Sequence, residues 1–361
     1  MRVLVLNPGS STLKAALLVA GSGEATREET VEWPAEEEHA DGVVGIAADA
    51  LPAHTADAVG YRVVHGGSRY RAATRVDGAL LEAVEALDVL APLHNRRAAA
   101  VMRAAIALLP GLPHVACFDT AFHAHLPEEA WRYPLPTDWV EGWGIRRYGF
   151  HGLSVSWSLR RAAELLGRRR DELGLVVAHL GSGCSVTAVE GGRSIDTSMG
   201  FTPNEGLMMG TRSGSVDPGI LVRLAEGGVG VGELAEGLTH RSGFAALTGT
   251  SDVRLIERRA DEGDAQARLA LAIFARRAAA SVASAAMALG RFDALVFTGG
   301  IGEHSAGIRG AIVRRLGVLG VPQGLADTDG DAVIAAGPPA AIVVRAHEER
   351  VIAAEVASLL Q

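Results

Sequence analysis

Apolar residues recur along this chain in short runs, separated by glycine-rich turns or by stretches of helical period. Arg2 to Leu18 reads RVLVLNPGSSTLKAALL: an apolar strand, a Gly-Ser turn and a second strand. Val59 to Gly67 is a strand ending in His-Gly-Gly, and Pro113 to Thr120 is a strand with Asp119 at its end. Ala79 to Leu90 and Ala98 to Leu109 follow the helical period, with Ala91-Pro92-Leu93-His94-Asn95 breaking the run between them. Leu175 to Ala178 and Ser185 to Val189 read as strands on either side of His-Leu-Gly-Ser-Gly-Cys. Ser154 to Leu166, Ile220 to Leu238, Ser251 to Glu257 and Asp264 to Leu289 read as helices, with Asp252 well placed as an N-cap. Ala294 to Thr298 and Ala340 to Val344 are strands, and Ser305 to Arg315 and Glu348 to Leu360 are helices. Glu24 to Asp57 is acidic and poor in large apolar residues. It reads as an irregular surface excursion with short elements around Val43 to Ala50.

Setting Gly9-Ser10 over Gly181-Ser182 places Asn7 over His179, with an apolar strand before each. Such a match arises by chance, or it marks two related α/β domains facing one nucleotide. Glycines at these turns let the backbone approach a ligand, and small hydroxyls with free N–H groups suit phosphate oxygens. An ordinary glycine-rich hairpin is the plainer meaning of one Gly-Ser-Gly. Thr-Ser-Met-Gly-Phe-Thr-Pro and Gly-Thr-Arg-Ser-Gly follow, polar and without period. They form a loop carrying Arg212, and loops of this kind carry sites. Gly299 to Glu303 follows a strand directly and leads into a helix, an arrangement that places a nucleotide at strand ends. The chain has no Rossmann fingerprint and no Walker lysine-serine pair.

Composition narrows the choice. At 361 residues the chain is comfortable for two domains, and 48% hydrophobic with 21% charged residues suits a folded protein. A net charge of −8 speaks against a general nucleic-acid binder but leaves open an anionic small ligand held by local cations. The N-terminal apolar run is too short for a signal peptide. Ala265 to Leu289 carries Arg268, Arg276 and Arg277, so it reads as a packed alanine-rich helix rather than a membrane span. The expected location is the cytoplasm. Cys117 and Cys184 give neither a disulfide framework nor metal-ligand spacing, and His94, His123, His151 and His179 fit no zinc pattern. Lys14 is the only lysine, by chance or because a compact ammonium is needed near phosphate. Arg62 within its strand is an edge charge or an anion clamp.

Together these residues resemble the acetate kinase family of the actin-like superfamily. The resemblance rests on LNPGSSTLK, RVVHGG, APLHN, FDTAFH, RRYGFHG, HLGSG, DTSMGFTPNEGLMMGTRSG, FTGGIGEH and HEE. It covers nearly the whole chain, apart from the acidic region after Leu18. It implies an α/β protein of two duplicated actin-like (ribonuclease H-like) domains with a catalytic cleft between them. The first would be 1–120 completed by 349–361, and the second 121–348. It also implies ATP with Mg²⁺ or Mn²⁺ as donor, acetate as acceptor, acetyl phosphate and ADP as products, and a homodimer. No nucleic-acid or membrane partner is expected.

The resemblance assigns Asn7 and Glu348 to the magnesium site and Lys14 to ATP, with Ser10 and Thr12 in the same turn. Arg62 is similar to the arginine for the substrate carboxylate, and Asp119 to the active-site aspartate. His151 and Arg212 match the pair that stabilises the transition state. His179, Leu180, Gly181, Ser182 and Gly183 resemble a phosphate loop. Asp252, Val253 and Arg254 resemble one adenosine-side segment, and Gly300, Ile301, Gly302, Glu303 and His304 another. Val64, Leu93, Phe150 and Pro203 match a small pocket for the acetyl methyl. Thr12, Ser182, Val253 and His347 depart from the family's commonest residues, and none of these changes removes a charged group. Acetate is already anionic at neutral pH and needs no general base. The task is positioning and charge neutralisation. Asp119 is therefore assigned to orienting metal-bound water or Arg62, not to proton abstraction. Two other readings stand beside this one. A propionate or butyrate kinase would share the mechanism. A non-enzymatic ATP-driven clamp would need neither Arg62 nor the Arg212 loop.

Overall fold

The computed structural model describes residues 1–9, 12–21, 25–33, 40–90 and 94–361. The expected site residues Ser10 and Leu93 lie outside this set. The chain divides into two compact units. One is Met1–Ala124 with Phe150–Trp157 and His347–Gln361, and the other is His125–Gly149 with Ser158–Ala346.

The first unit is built on six strands among the described residues: β1 (Arg2–Pro8), β2 (Thr12–Val19), β3 (Ala25–Glu32), β4 (Ala58–Val63), β5 (Thr74–Arg75) and β6 (His114–Phe118). Their order is β3-β2-β1-β4-β6-β5. β1, β4 and β6 are parallel neighbours, while β2 and β3 return antiparallel on one side and β5 on the other. Alternation sorts the side chains onto two faces. Val3, Val5, Ala58, Val115 and Cys117 pack with Ile352, Ala353 and Val356 of the helix Glu348–Leu360. Leu4, Leu6, Tyr61 and Phe118 face the helices Asp41–Ala50, Gly78–Ala86 and Asn95–Leu108. Gly60 sets how closely the C-terminal helix sits. A Cβ there would lie 2.7 Å from Ile352 Cγ2 and 2.8 Å from Val356 Cγ2.

The second unit repeats the plan with β7 (Gly174–Leu180), β8 (Cys184–Glu190), β9 (Arg193–Thr197), β10 (Ala294–Thr298), β11 (Ala332–Ala335) and β12 (Ala340–Val343). Their order is β11-β12-β10-β7-β8-β9. β7, β10 and β12 are the parallel trio, flanked by antiparallel strands as in the first sheet. The helix Ala265–Met287 has the length and composition of a membrane span. Here it packs against β7 and β8 and against neighbouring helices, and Ala267, Ala270, Phe274, Ala278 and Val282 are among its buried residues.

Three expectations change. The acidic stretch expected to be irregular contains β3, which pairs along β2. Its Arg27, Glu28 and Glu32 are characteristic of a charged edge strand. The single helix expected from Ile220 to Leu238 is two, Pro218–Glu226 and Val231–His240, parted at Gly228, which has a φ of 92°. The glycines before Ser305 are themselves helical, as Gly299–His304. Ser305 then caps Ala306–Val313 by accepting from Ile308 N at 3.0 Å.

Phe150–Trp157 is tied to the end of β6. Gly152 N donates to Asp119 O at 3.0 Å, and a Cβ at Gly152 would overlap that oxygen. His123, fully buried, donates from Nε2 to Phe150 O at 3.0 Å. Burial pulls its pKa down to about 4 from 6.5, against the opposing effect of that hydrogen bond. The unfolded chain therefore takes up a proton below 6.5 that the folded chain refuses until about 4. Stability should fall as pH drops through this window, by about 3 kcal/mol in all from this group. Urea titrations from pH 7 to 4 should show a shallower slope for His123→Gln than for the parent. Equal slopes would place the acid sensitivity elsewhere.

Candidate active site

In the first unit the parallel strand ends bring together four of the residues singled out from the sequence. Asn7, Arg62 and Asp119 continue the alternation that puts Val5, Gly60 and Cys117 on the face of the C-terminal helix. Glu348 opens that helix, where the dipole favours an acid. Asp119 N donates to Val63 O at 2.9 Å, so the aspartate extends the ladder beside Arg62. Arg62 Nη2 and Nε both reach Asp119 Oδ2, at 2.7 and 3.1 Å. Nη1 lies 3.3 Å from Asn7 Oδ1 and 3.3 Å from Glu348 Oε2. Asn7 Nδ2 closes the network on Glu348 Oε2 at 3.1 Å.

Asp119 is wholly buried. Burial pushes its carboxyl up to about 6; Arg62 pulls the other way, and Glu348 adds to the rise. It is thus ionised at neutral pH. Burial alone would lower the Arg62 pKa, but Asp119 and Glu348 hold it raised and charged. Two carboxylates, one guanidinium and one amide leave a single net negative charge.

Around this network the other expected residues of the first unit are spread. Lys14 stands opposite Asn7 across the β1–β2 pair, exposed and without a salt bridge among the described residues. Thr12 is half-buried, and its carbonyl accepts from Gly9 N at 2.7 Å. Val64 and Phe150 are both buried, and the Phe150 ring meets His65 edge-on with centroids 5.4 Å apart. His151 has a φ of 57°, a left-handed conformation uncommon outside glycine and often found at functional sites. Pro203, the remaining apolar residue of the expected pocket, belongs to the second unit.

In the second unit Gly181, Ser182 and Gly183 close the β7–β8 hairpin, and His179 pairs with Ser185 just before them. Gly181 N bonds Gly183 O at 3.1 Å, and Ser182 O accepts from Gly210 N at 3.2 Å. Gly299, with a φ of 75°, lets the end of β10 come against Leu180. A Cβ there would sit 2.8 Å from Leu180 O. Space beside Gly300 is open, Ile301 is half-buried and Gly302 is buried. Glu303 Oε1 accepts from Ala346 N at 3.0 Å, and His304 is exposed. Asp252 caps the helix Val253–Asp261 through Arg254 N and pairs with Arg254 Nε, both at 3.0 Å. Val253 between them is buried.

One residue in this region escaped sequence reasoning. Arg309, almost fully buried, donates to Gly302 O at 3.0 Å and Glu303 O at 2.8 Å, capping the short helix from behind. An arginine inside the run AGIRGAIV was the available signal.

Arg212 differs from Arg62 in its surroundings. Its Nη1 donates to Pro203 O at 3.1 Å and lies 4.0 Å from Met209 Sδ. Burial lowers its pKa, and no carboxylate among the described residues pairs with it. The first unit thus offers an anchored guanidinium among hard oxygen donors. The second offers glycine loops and a partly desolvated cation with neutral partners.

A profile described as the acetokinase family matches residues 46–354. The acetate kinase of Deinococcus radiodurans is 46% identical across all of this chain and 98% of its own length. The crystal structure of a propionate kinase from Francisella tularensis superposes with a TM-score of 0.88 at 35% identity, covering 98% of both chains. That of Porphyromonas gingivalis acetate kinase gives 0.87 at 33% identity over the whole of both. The two sheets of matching topology are the duplicated actin-like fold of those structures. By sequence over most of its length and by fold over all of it, the chain belongs to the acetokinase family.

Proposed function

We propose that the protein is an acetate kinase, transferring the γ-phosphate of ATP to acetate, reversibly, by direct in-line displacement. Arg212 carries this reading. A guanidinium whose pKa burial lowers, with a carbonyl, a thioether and the Cys184 thiol beside it and no carboxylate among the described residues, calls for an anion. Glycine-rich turns in the same unit can supply N–H groups to phosphate oxygens. Lys14, Ser10 and Thr12, with the loops at 179–183, 252–254 and 300–304, are assigned to ATP and ADP. The two domains are assigned as 1–120 with 349–361, and 121–348.

Arg62 takes the acetate carboxylate in this reading. Asp119 grips its Nε and Nη2, which leaves the Nη1 edge, held only at 3.3 Å, for substrate. Asp119 then orients Arg62 and moves no proton. Val64, Leu93, Phe150 and Pro203 are assigned to the acetate methyl group. Arg212 and His151 take charge from the equatorial oxygens of the transferring phosphoryl group.

The oxygens of Asn7 and Glu348 suit a hard divalent cation. No cluster of three acidic, histidine or cysteine side chains among the described residues is arranged to hold a metal. An ion such as Mg²⁺ would be held there by one or two protein oxygens together with substrate phosphates. Mg²⁺ or Mn²⁺ there would neutralise phosphate charge. We assign the enzyme to the cytoplasm, with no nucleic-acid or membrane partner.

A homodimer is part of the proposal. The helices Pro218–Glu226 and Val231–His240 have no buried residue, yet Ile220, Val222, Leu224 and Val231 are between 42% and 83% exposed. Such an apolar surface fits a second copy. Sedimentation should show a dimer, and the pair Val222→Glu with Val231→Glu should shift it toward monomer. A variant that remains fully dimeric would move the interface elsewhere.

Hydroxylamine trapping of acyl phosphate, with ATP and acetate supplied, tests the reaction itself. A nucleotide-driven clamp would give ATP turnover without trapped product. Arg212→Ala should lower kcat by roughly a thousandfold, the scale for losing a transition-state cation, with a much smaller change in acetate KM. Near-normal kcat with a greatly raised KM would place Arg212 in ground-state binding.

The propionate kinase match at 35% identity makes chain length the sharpest test of substrate. Val64 and Phe150 are buried and apolar, so one added methylene should meet a wall. Propionate should be used at roughly a tenth or less of the acetate kcat/KM, and butyrate hardly at all. Val64→Ala should raise propionate use relative to acetate, mainly through KM. Ready use of butyrate by the parent enzyme would favour the longer-chain reading, and an unchanged preference in Val64→Ala would remove that residue from the pocket.

A further inference from the structure

Three side chains outside the assigned site converge on the segment that carries Pro203. Tyr133 Oη donates to Glu205 Oε2 and accepts from Phe201 N at 3.1 Å. Arg147 Nη2 pairs with Glu205 Oε1 at 3.0 Å, and its Nη1 donates to Ser198 O at 3.2 Å. The Arg147 guanidinium also lies over the Tyr133 ring, 5.3 Å from its centroid. Next to it, Tyr148 N donates to Gly200 O at 3.0 Å. The segment is thus held at Ser198, Gly200, Phe201 and Glu205, on both sides of Pro203. A Cβ at Gly200 would overlap both Tyr133 Oη and Glu205 Oε2, so glycine is what lets that bond pass over the backbone. Burial foremost keeps the Tyr133 phenol protonated and able to donate.

This tether lies one bond from Arg212, because Pro203 O is the oxygen that accepts from Arg212 Nη1. An arginine has much rotamer freedom to lose, and a fixed carbonyl removes part of it before substrate arrives. The stretch between β9 and the helix Pro218–Glu226 holds no helix or strand of its own, so bonds from distant sequence set its path, backbone ones such as Tyr148 N to Gly200 O together with these side-chain tethers. Tyr133 and Glu205 are separated by 72 positions, and Arg147 and Glu205 by 58.

We propose that Tyr133, Arg147 and Glu205 are positioning residues for phosphoryl transfer, fixing the Ser198–Glu205 segment so that Pro203 holds Arg212 in one orientation. The proposal rests on the acetate kinase reading. It ties two properties to one tether: turnover through Arg212, and acid selectivity through the Pro203 wall. A role confined to folding would move neither in an enzyme that remains folded.

Tyr133→Phe is the informative variant, because it keeps the ring beneath Arg147 and deletes both Oη bonds. It should lower kcat with acetate by about ten- to a hundredfold, the scale for small misplacement of a catalytic group. ATP KM should stay within about twofold, because the adenosine-side segments are untouched. The propionate-to-acetate ratio of kcat/KM should rise. Amide hydrogen exchange should quicken across 198–206 and stay unchanged in β7 and β10. Should this variant not fold, Arg147→Lys serves the same readouts, since a shorter point-charge ammonium does not reproduce the planar fork that bonds Ser198 O and Glu205 from two nitrogens. A folded variant with faster local exchange but unchanged kcat and selectivity would overturn the proposal, and so would unchanged exchange. If the parent enzyme forms no acyl phosphate, the kinase reading fails on its own, while the exchange measurement still reports on the tether.

Discussion

A guanidinium at the end of a parallel strand, largely withdrawn from water, is the constraint on which the first unit depends. Arg62 needs acids, and the fold brings them from two directions. Asp119 comes from the next parallel strand, and Glu348 from the first turn of the C-terminal helix. Removing one partner from such a buried pair costs about 3–5 kcal/mol, because the other charge is left uncompensated. The helix must therefore sit where Glu348 reaches Arg62, and that depth is allowed by glycine at position 60. Packing of Ile352 and Val356 on the sheet and the geometry of the site are one requirement met twice.

The duplicated topology makes the contrast between the sheets informative. Asp119 N bonds Val63 O in the first sheet, and Val344 N bonds Phe297 O in the same way in the second. At the matching strand ends the second sheet carries His179, Thr298 and Val344, none of them acidic. One copy has placed ionised groups at its strand ends, and the other has kept small residues and glycine turns. On the proposed reading the first takes the carboxylate and the metal, and the second a polyphosphate chain through backbone N–H groups.

Much of this was legible in the sequence, for a physical reason. Strands buried on both faces read as continuous apolar runs, and β1, β4, β6, β7 and β10 are of that kind. β3 was missed because charged residues stand on both of its faces, Arg27 and Glu29 on the side of the buried Val31 and Glu28 and Glu32 on the other. The break at Gly228 was missed because apolar period continues on both sides of it. Arg62 allowed two readings until its neighbours were known. Whether a charge in a strand faces solvent or a carboxylate depends on strand order, and order is a property of the folded chain. Tyr133, Arg147 and Glu205 were less legible still, since each looks like an ordinary surface residue until the chain returns beside it.

On the proposed reading, Arg62 and Arg212 need different environments. An acceptor that is already anionic needs no base; it needs cations whose fields are not spent on protein acids. Arg62 is shared with Asp119 and Glu348, which fixes its direction and dilutes its charge, and this suits a group that orients a weakly held carboxylate. Arg212 keeps neutral partners in a partly desolvated setting, where Coulombic interactions are stronger than in water. It is the group better able to answer charge that develops on a phosphoryl oxygen without reorganising. The cost is a cation that no acid among the described residues holds in place. Its direction must then come from hydrogen bonding to backbone, which is why the path of the Pro203 segment matters as much as the arginine itself.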